Sequence, residues 1–205
     1  FPTKQISFIN LLSVRLVRMP FPYPVFLDLT GVPVLVVGGG AIALRKATGL
    51  VDAGAVVTVV APVVVPELAH LVAQVHVRRY ADGEAASYQL VITATDDAAV
   101  NARVAADARG AQVWANSADD PQNCSFILPA VARRGLVTVA VSTGGASPAL
   151  AGHVRSQIAE QVLTAEVEAA AVELARQRAE IHAAGGSTEL VEWSGRVRAA
   201  LAGDE

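Results

Sequence analysis

The chain has 205 residues, of which 53% are hydrophobic and 17% charged, and its net charge is −3. That length carries one full core with a smaller appended unit. The acidic balance offers nucleic acid no electrostatic footprint. The single cysteine, Cys124, excludes a disulfide framework and fits a reducing, cytoplasmic setting. Four scattered histidines add no zinc-type ligand cluster.

Residues 1–21 come first. They hold Lys4, Arg15 and Arg18 with no acid, around an apolar centre from Ile6 to Leu12. That centre is too short to span a membrane, and no small-residue cleavage site follows it. The segment is expected to be a poorly ordered extension upstream of the patterned sequence.

From residue 22 the pattern alternates. Short apolar runs at Val34–Val37, Val56–Val60, Val75–Arg78, Leu90–Ala94 and Gln112–Ala115 read as strands. Helical periodicity lies between them at 41–53, 65–73 and 97–109. This alternation predicts an α/β fold, a Rossmann-like doubly wound parallel sheet over 22–117. Ser125–Val131 and Leu136–Val141 read as a β-hairpin turning at Arg133-Arg134-Gly135, within a 118–148 dimerisation segment. Two apolar strands appended to a closed domain need a covering surface, so a homodimer is expected. Residues 149–205 read as a helical domain, with helices at 149–163, 164–183 and 188–201 and a break at Gly185-Gly186.

The most specific local signal is Gly38-Gly39-Gly40 between the first strand and the first helix. Gly38-x-Gly40-x-x-Ala43 fits the dinucleotide fingerprint G-x-G-x-x-G/A. Gly38 permits the tight turn, and Gly40 lets a pyrophosphate approach the backbone. Ala43 keeps the helix close to the sheet. The phosphates would meet the N–H groups of Ala41 and Ile42 at the positive end of the helix. The acid that holds a ribose 2′-OH in such folds is missing. The second strand ends Val60-Ala61-Pro62, and Glu67 falls too late. No arginine sits at that strand end to take a 2′-phosphate either, so the sequence favours NAD over NADP.

Three further motifs follow in order. They are Thr93-Ala94-Thr95-Asp96-Asp97, then Asn116-Ser117-Ala118-Asp119-Asp120-Pro121 with Cys124-Ser125-Phe126, and Ser142-Thr143-Gly144-Gly145-Ala146-Ser147-Pro148. Together with the glycine loop and Arg45-Lys46-Ala47 they resemble the precorrin-2 dehydrogenase and sirohydrochlorin ferrochelatase family, whose members are similar to the N-terminal half of siroheme synthase. The resemblance runs from about Pro22 to Glu160. It implies NAD-dependent dehydrogenation of precorrin-2 to sirohydrochlorin. In some members it also implies insertion of ferrous iron, which is then a substrate.

By that resemblance Asp119 is the catalytic acid–base residue and, in chelating members, a transient ligand to the metal. On the residues alone, a turn former or helix cap is the preferred reading of Asp119 or Asp120, so close before Pro121. The resemblance places Pro62 and Val63 at the adenosine, and Thr95 and Asp96 near the ribose and nicotinamide. Thr95 and Asp96 also suit the N-cap of the next helix. Ser142, Thr143, Gly144 and Gly145 suit an anion-binding turn for the carboxylates of a tetrapyrrole. The same stretch reads as a helix start with Ser147 as cap and Pro148 in the first turn. Arg155 is the candidate carboxylate partner on that helix. The alternative is a dinucleotide-sensing regulatory module without catalysis, which would keep the glycine loop and lack the Asp119 and Ser142–Gly145 motifs.

Overall fold

The computed structural model describes residues 23–118 and 120–203. The extension expected over residues 1–21 therefore lies outside the described residues, as does Asp119. The order is β1 (Pro33–Val37), α1 (Ala41–Asp52), β2 (Val56–Ala61), α2 (Pro66–Leu71), β3 (Gln74–Val77), β4 (Leu90–Thr93), α3 (Ala98–Gly110) and β5 (Trp114–Ser117). The hairpin β6 (Ala130–Arg134) and β7 (Val137–Val141) follows, then α4 (Pro148–Gln161), α5 (Ala165–Ala183) and α6 (Ser194–Ala202).

The first five strands form one parallel sheet in the order β3-β2-β1-β4-β5. A parallel sheet is covered on both faces, so its central strands carry apolar residues at successive positions. Val34 and Val36 point into one core with Val57, Val59, Leu90 and Ile92, beneath Ala43, Ala47 and Leu50 of α1 and Leu68 of α2. Leu35 and Val37 point into the other with Val60, Val91 and Ala115, beneath Val104 and Ala108 of α3, with Tyr80 and Ala85. At about 1.5–3 kcal/mol for each fully buried side chain of this size, these layers are the main source of stability.

Three sequence expectations shift. Ser125–Pro129 is irregular, and the hairpin strand begins only at Ala130. Ser125 instead closes the outer edge of β5. Its N–H donates to the Ala115 carbonyl at 2.8 Å, and its Oγ accepts from the Ala115 N–H at 2.7 Å. Pro129 has no N–H to continue a ladder. β5 lies two residues later than expected, because Gln112 takes a left-handed φ of 59° and ends the turn after α3. The last helix starts at Ser194 rather than 188. Thr188–Leu190 form only a 3-10 turn, with the Trp193 indole donating to the Thr188 carbonyl at 3.0 Å.

The C-terminal part packs on itself. The hairpin lies against α4, and α5 against α6. Arg134 on β6 reaches the α4–α5 junction, donating to the Leu163 carbonyl at 3.2 Å and pairing with Glu168 at 2.9 Å. No helix among the described residues is long and apolar enough to cross a membrane.

Candidate active site

The strand order reverses between β1 and β4, and the candidate site sits at the carboxyl ends of these two strands. Such switch points are where open α/β sheets bind ligands. The glycine loop after β1 is knitted to both neighbours. The Gly38 N–H donates to the Val60 carbonyl at 3.0 Å, and the Val65 N–H donates to the Gly39 carbonyl at 2.9 Å. Gly38 has φ +129°, and a Cβ there would lie 2.3 Å from the Ala94 carbonyl oxygen. A Cβ on Gly39 would lie 1.9 Å from the Val63 carbonyl oxygen. Only glycine fits at either position.

Gly40 differs from both. A Cβ there would meet nothing within 4 Å. Gly40 is also the N-cap of α1 and offers no side-chain bond to the helix's first N–H groups. Ala41 and Ile42 are exposed beside it. Open space, free N–H groups and the positive helix end form a cradle for an anion. The residues present thus fit a dinucleotide pyrophosphate.

The structure brings three of the predicted groups together at this sheet edge. Gly38, Gly40, Ala41 and Ile42 form the loop and helix start. Pro62 and Val63 follow β2, with the Val63 side chain 79% exposed. Thr95 and Asp96 follow β4, where the Ala94 N–H bonds the Val37 carbonyl at 2.8 Å.

The helix cap is neither Thr95 nor Asp96. Asp97 caps α3, accepting from the Ala99 and Val100 N–H groups at 2.9 and 3.1 Å. Thr95 instead exchanges bonds with Asn101. Its hydroxyl lies 2.8 Å from Oδ1, and the Asn101 amide donates to the Thr95 carbonyl at 3.0 Å. Asn101 is buried, not solvated. Asp96 is left exposed at the mouth of the site.

Beyond β5 the loop on either side of position 119 is tied down. The Ala118 N–H donates to the Thr93 carbonyl at 3.0 Å. The Cys124 thiol accepts from the Ser117 N–H at 3.2 Å, and the Asp120 carbonyl lies 3.3 Å from its sulfur. Burial pushes the thiol pKa up, so it stays a hydrogen-bond donor at neutral pH. The Asp120 carboxylate accepts from the Asn123 amide at 2.6 Å and is spent on the short turn that follows.

Ser142–Gly145 form the turn between β7 and α4. Ser147 caps the helix through the Leu150 N–H at 3.2 Å, with Pro148 in the first turn. Thr143 Oγ1 accepts from the Ser147 N–H and donates to its carbonyl, each at 3.0 Å. Ser142 Oγ accepts from the Gly144 N–H at 3.1 Å. These hydroxyls close the turn itself. Among the described residues no hydrogen bond links this turn or Arg155 to the glycine loop.

Comparison with known proteins matches these two regions in order. A family model described as NAD(P)-binding covers residues 25–130, and a model for the sirohaem biosynthesis protein central region covers 134–161. The siroheme synthase of Pseudomonas fluorescens Pf0-1 is 47% identical over 139 residues, 66% of this chain and 30% of that protein. That of Methylococcus capsulatus is 46% identical over 139 residues, 66% of this chain and 29% of that protein. The chain thus spans under a third of the length of these relatives. Among solved structures, SirC, a precorrin-2 dehydrogenase, superposes with a TM-score of 0.67 at 29% identity, covering 86% of each chain. With more than half its length inside the first model, the chain belongs to that NAD(P)-binding family, and a match to the sirohaem biosynthesis central region follows directly.

Proposed function

We propose that the chain oxidises precorrin-2 to sirohydrochlorin with NAD as acceptor. The observation that carries this reading is the open Gly40 cradle at the switch point, in a chain similar to a precorrin-2 dehydrogenase over 86% of its length. NAD, when bound, supplies the acceptor for a hydride. The chain's own residues bind and orient. The N–H groups at the start of α1 hold the pyrophosphate, and the shape of Pro62–Val63 receives the adenosine. Thr95 and Asp96 border the ribose and nicotinamide end.

Asp119 takes the proton that leaves the macrocycle as the hydride departs. This makes it the general base of a two-electron, two-hydrogen oxidation. The Asp120 carboxylate is engaged by Asn123, which leaves the family's aspartate position, Asp119, as the preferred base. Ser142–Gly145 and Arg155 serve the substrate's carboxylates. The same carboxylate-based site would hold ferrous iron weakly, as suits an ion that is passed on.

The working form is a homodimer. α4 buries only Ala151 and α5 only Ala170, while Leu150 is 52% and Val154 36% exposed one turn apart on α4. Such a face is stable when a second copy covers it.

An anaerobic absorbance assay with enzymatically made precorrin-2 tests the activity. NAD-dependent sirohydrochlorin formation is expected, and siroheme forming faster than in an enzyme-free control on adding ferrous iron would extend it to chelation. Asp119→Ala is expected to keep NAD binding and lower turnover by about 100-fold or more. No NAD-dependent conversion would move the assignment to a dinucleotide-sensing module.

A further inference from the structure

β4 reads Leu90-Val91-Ile92-Thr93, three apolar residues and then a hydroxyl. Thr93 is wholly buried, and Ser117, the last residue of β5, is 4% exposed. The two are register partners across β4 and β5. Side-chain alternation puts them on the face of Val91 and Ala115, the layer beneath α3. At Thr93 a valine would fill the same space with no hydroxyl to desolvate. The hydroxyl is tolerated there because it donates to Ser117 Oγ at 2.9 Å.

Thr93 also holds the next residue along. Its carbonyl accepts from the Ala118 N–H at 3.0 Å. Ser117 and Ala118 are the two residues that lead into Asp119, so one residue of β4 grips both. The outer side of Ser117 is braced separately, its N–H donating to Cys124 Sγ at 3.2 Å. On its other side the end of β4 is fixed to the glycine loop. The Ala94 N–H donates to the Val37 carbonyl at 2.8 Å, and the Ala94 carbonyl occupies the place of a Cβ on Gly38. Thr93 thus joins the glycine loop and the Thr95–Asp96 corner to the loop that bears Asp119.

Dehydrogenation takes a hydride and a proton from one substrate and delivers them to two acceptors, the coenzyme and the base. These acceptors belong to different loops, and the join between β4 and β5 sets their separation. A misplacement of about 1 Å can lower a rate about 100-fold. Resting on the reading of Asp119 as the base, we propose that the buried Thr93–Ser117 hydroxyl pair positions Asp119 against the coenzyme. Thr93 and Ser117 are positioning residues and act through the loop that follows them.

The anaerobic assay on the full chain, beside titration with NAD alone, tests this. Thr93→Val keeps the shape and removes the donor. It is expected to lower kcat by about tenfold while the NAD dissociation constant changes by less than about twofold. Thr93→Ser restores the hydroxyl without the methyl and is expected to recover kcat to within about threefold of the parent chain. In the Asp119→Ala background Thr93→Val is expected to cause no further loss, because both changes act on one group. An unchanged kcat in Thr93→Val overturns the inference. So does an equal loss in Thr93→Ser, which would mark packing, or NAD affinity falling in step with kcat. Unchanged turnover in Asp119→Ala overturns the base assignment itself, which separates the two failures.

Discussion

The two halves of the molecule solve burial differently. In residues 23–118, every central strand is sealed on both faces, and Val34, Leu35 and Val36 are wholly buried in succession. Beyond Ala130, one residue of the hairpin, one of α4, one of α5 and none of α6 is buried, and none of them wholly. A two-stranded hairpin on its own is marginal in water. The first half is sealed by its own helices, while the second leaves its helix faces open. Coenzyme recognition sits in the sealed part, and the proposed substrate-facing turn sits in the open part.

Three experiments strain this contrast. The largest effect is expected at Gly39. Gly39→Ala puts a Cβ on the Val63 carbonyl, so the loop after β1 or the loop after β2 must shift. A loss of roughly 3 kcal/mol in thermal or urea unfolding and loss of NAD binding are expected. Gly40→Ala has open space and is expected to change stability by under about 1 kcal/mol while weakening NAD through the pyrophosphate. Equal stability loss in the two variants would undo the account of the loop.

Next comes the unsealed half. Leu150→Asp places a charge on the exposed α4 face and is expected to convert a dimer to a monomer in sedimentation, with the 23–118 core still folded. A wild-type chain with monomer mass would remove the dimer. The smallest effect lies at Glu84. Its carboxyl is held below the usual range by the Arg78 guanidinium. Because the folded pKa is depressed, the pair's contribution is present above the ordinary value of 4.5 and is lost as pH falls through the lower folded value. Arg78→Ala is expected to flatten the acid limb of stability only slightly, because the guanidinium faces solvent.

Much of the first half was legible in the sequence because its signals are local. Continuous apolar strands, helix periods and a glycine triplet declare themselves within a few residues. What escaped was set at a distance. Gly39 reads as a filler between the fingerprint glycines, yet it is the most crowded of the three, because Val63 arrives from another loop. Arg78 lies seventeen residues past Ala61 in the chain, and its N–H reaches the Ala61 carbonyl only through β2–β3 register. Ser125–Val131 has strand composition, but Ser125 and Asn116 spend its backbone on the edge of β5. Asn101 lacks any apolar cue to burial and is drawn in by Thr95. Around the Asn116–Pro121 segment the thiol of Cys124 supplies a link that its sequence spacing does not announce, joining Ser117 to Asp120.

The clasp between Gly39 and Val63 also restricts how this domain can be remodelled. Surface loops ordinarily absorb insertions at small thermodynamic penalty. Here the five residues from Ala61 to Val65 are measured against a second loop, with a carbonyl seated where a side chain would be and an amide returning the bond. Lengthening or shortening that span by one residue would unseat the glycine turn without touching it. Coenzyme preference in this fold is therefore expected to change by exchange of side chains at fixed length, at Pro62 or Val63, rather than by grafting of loops.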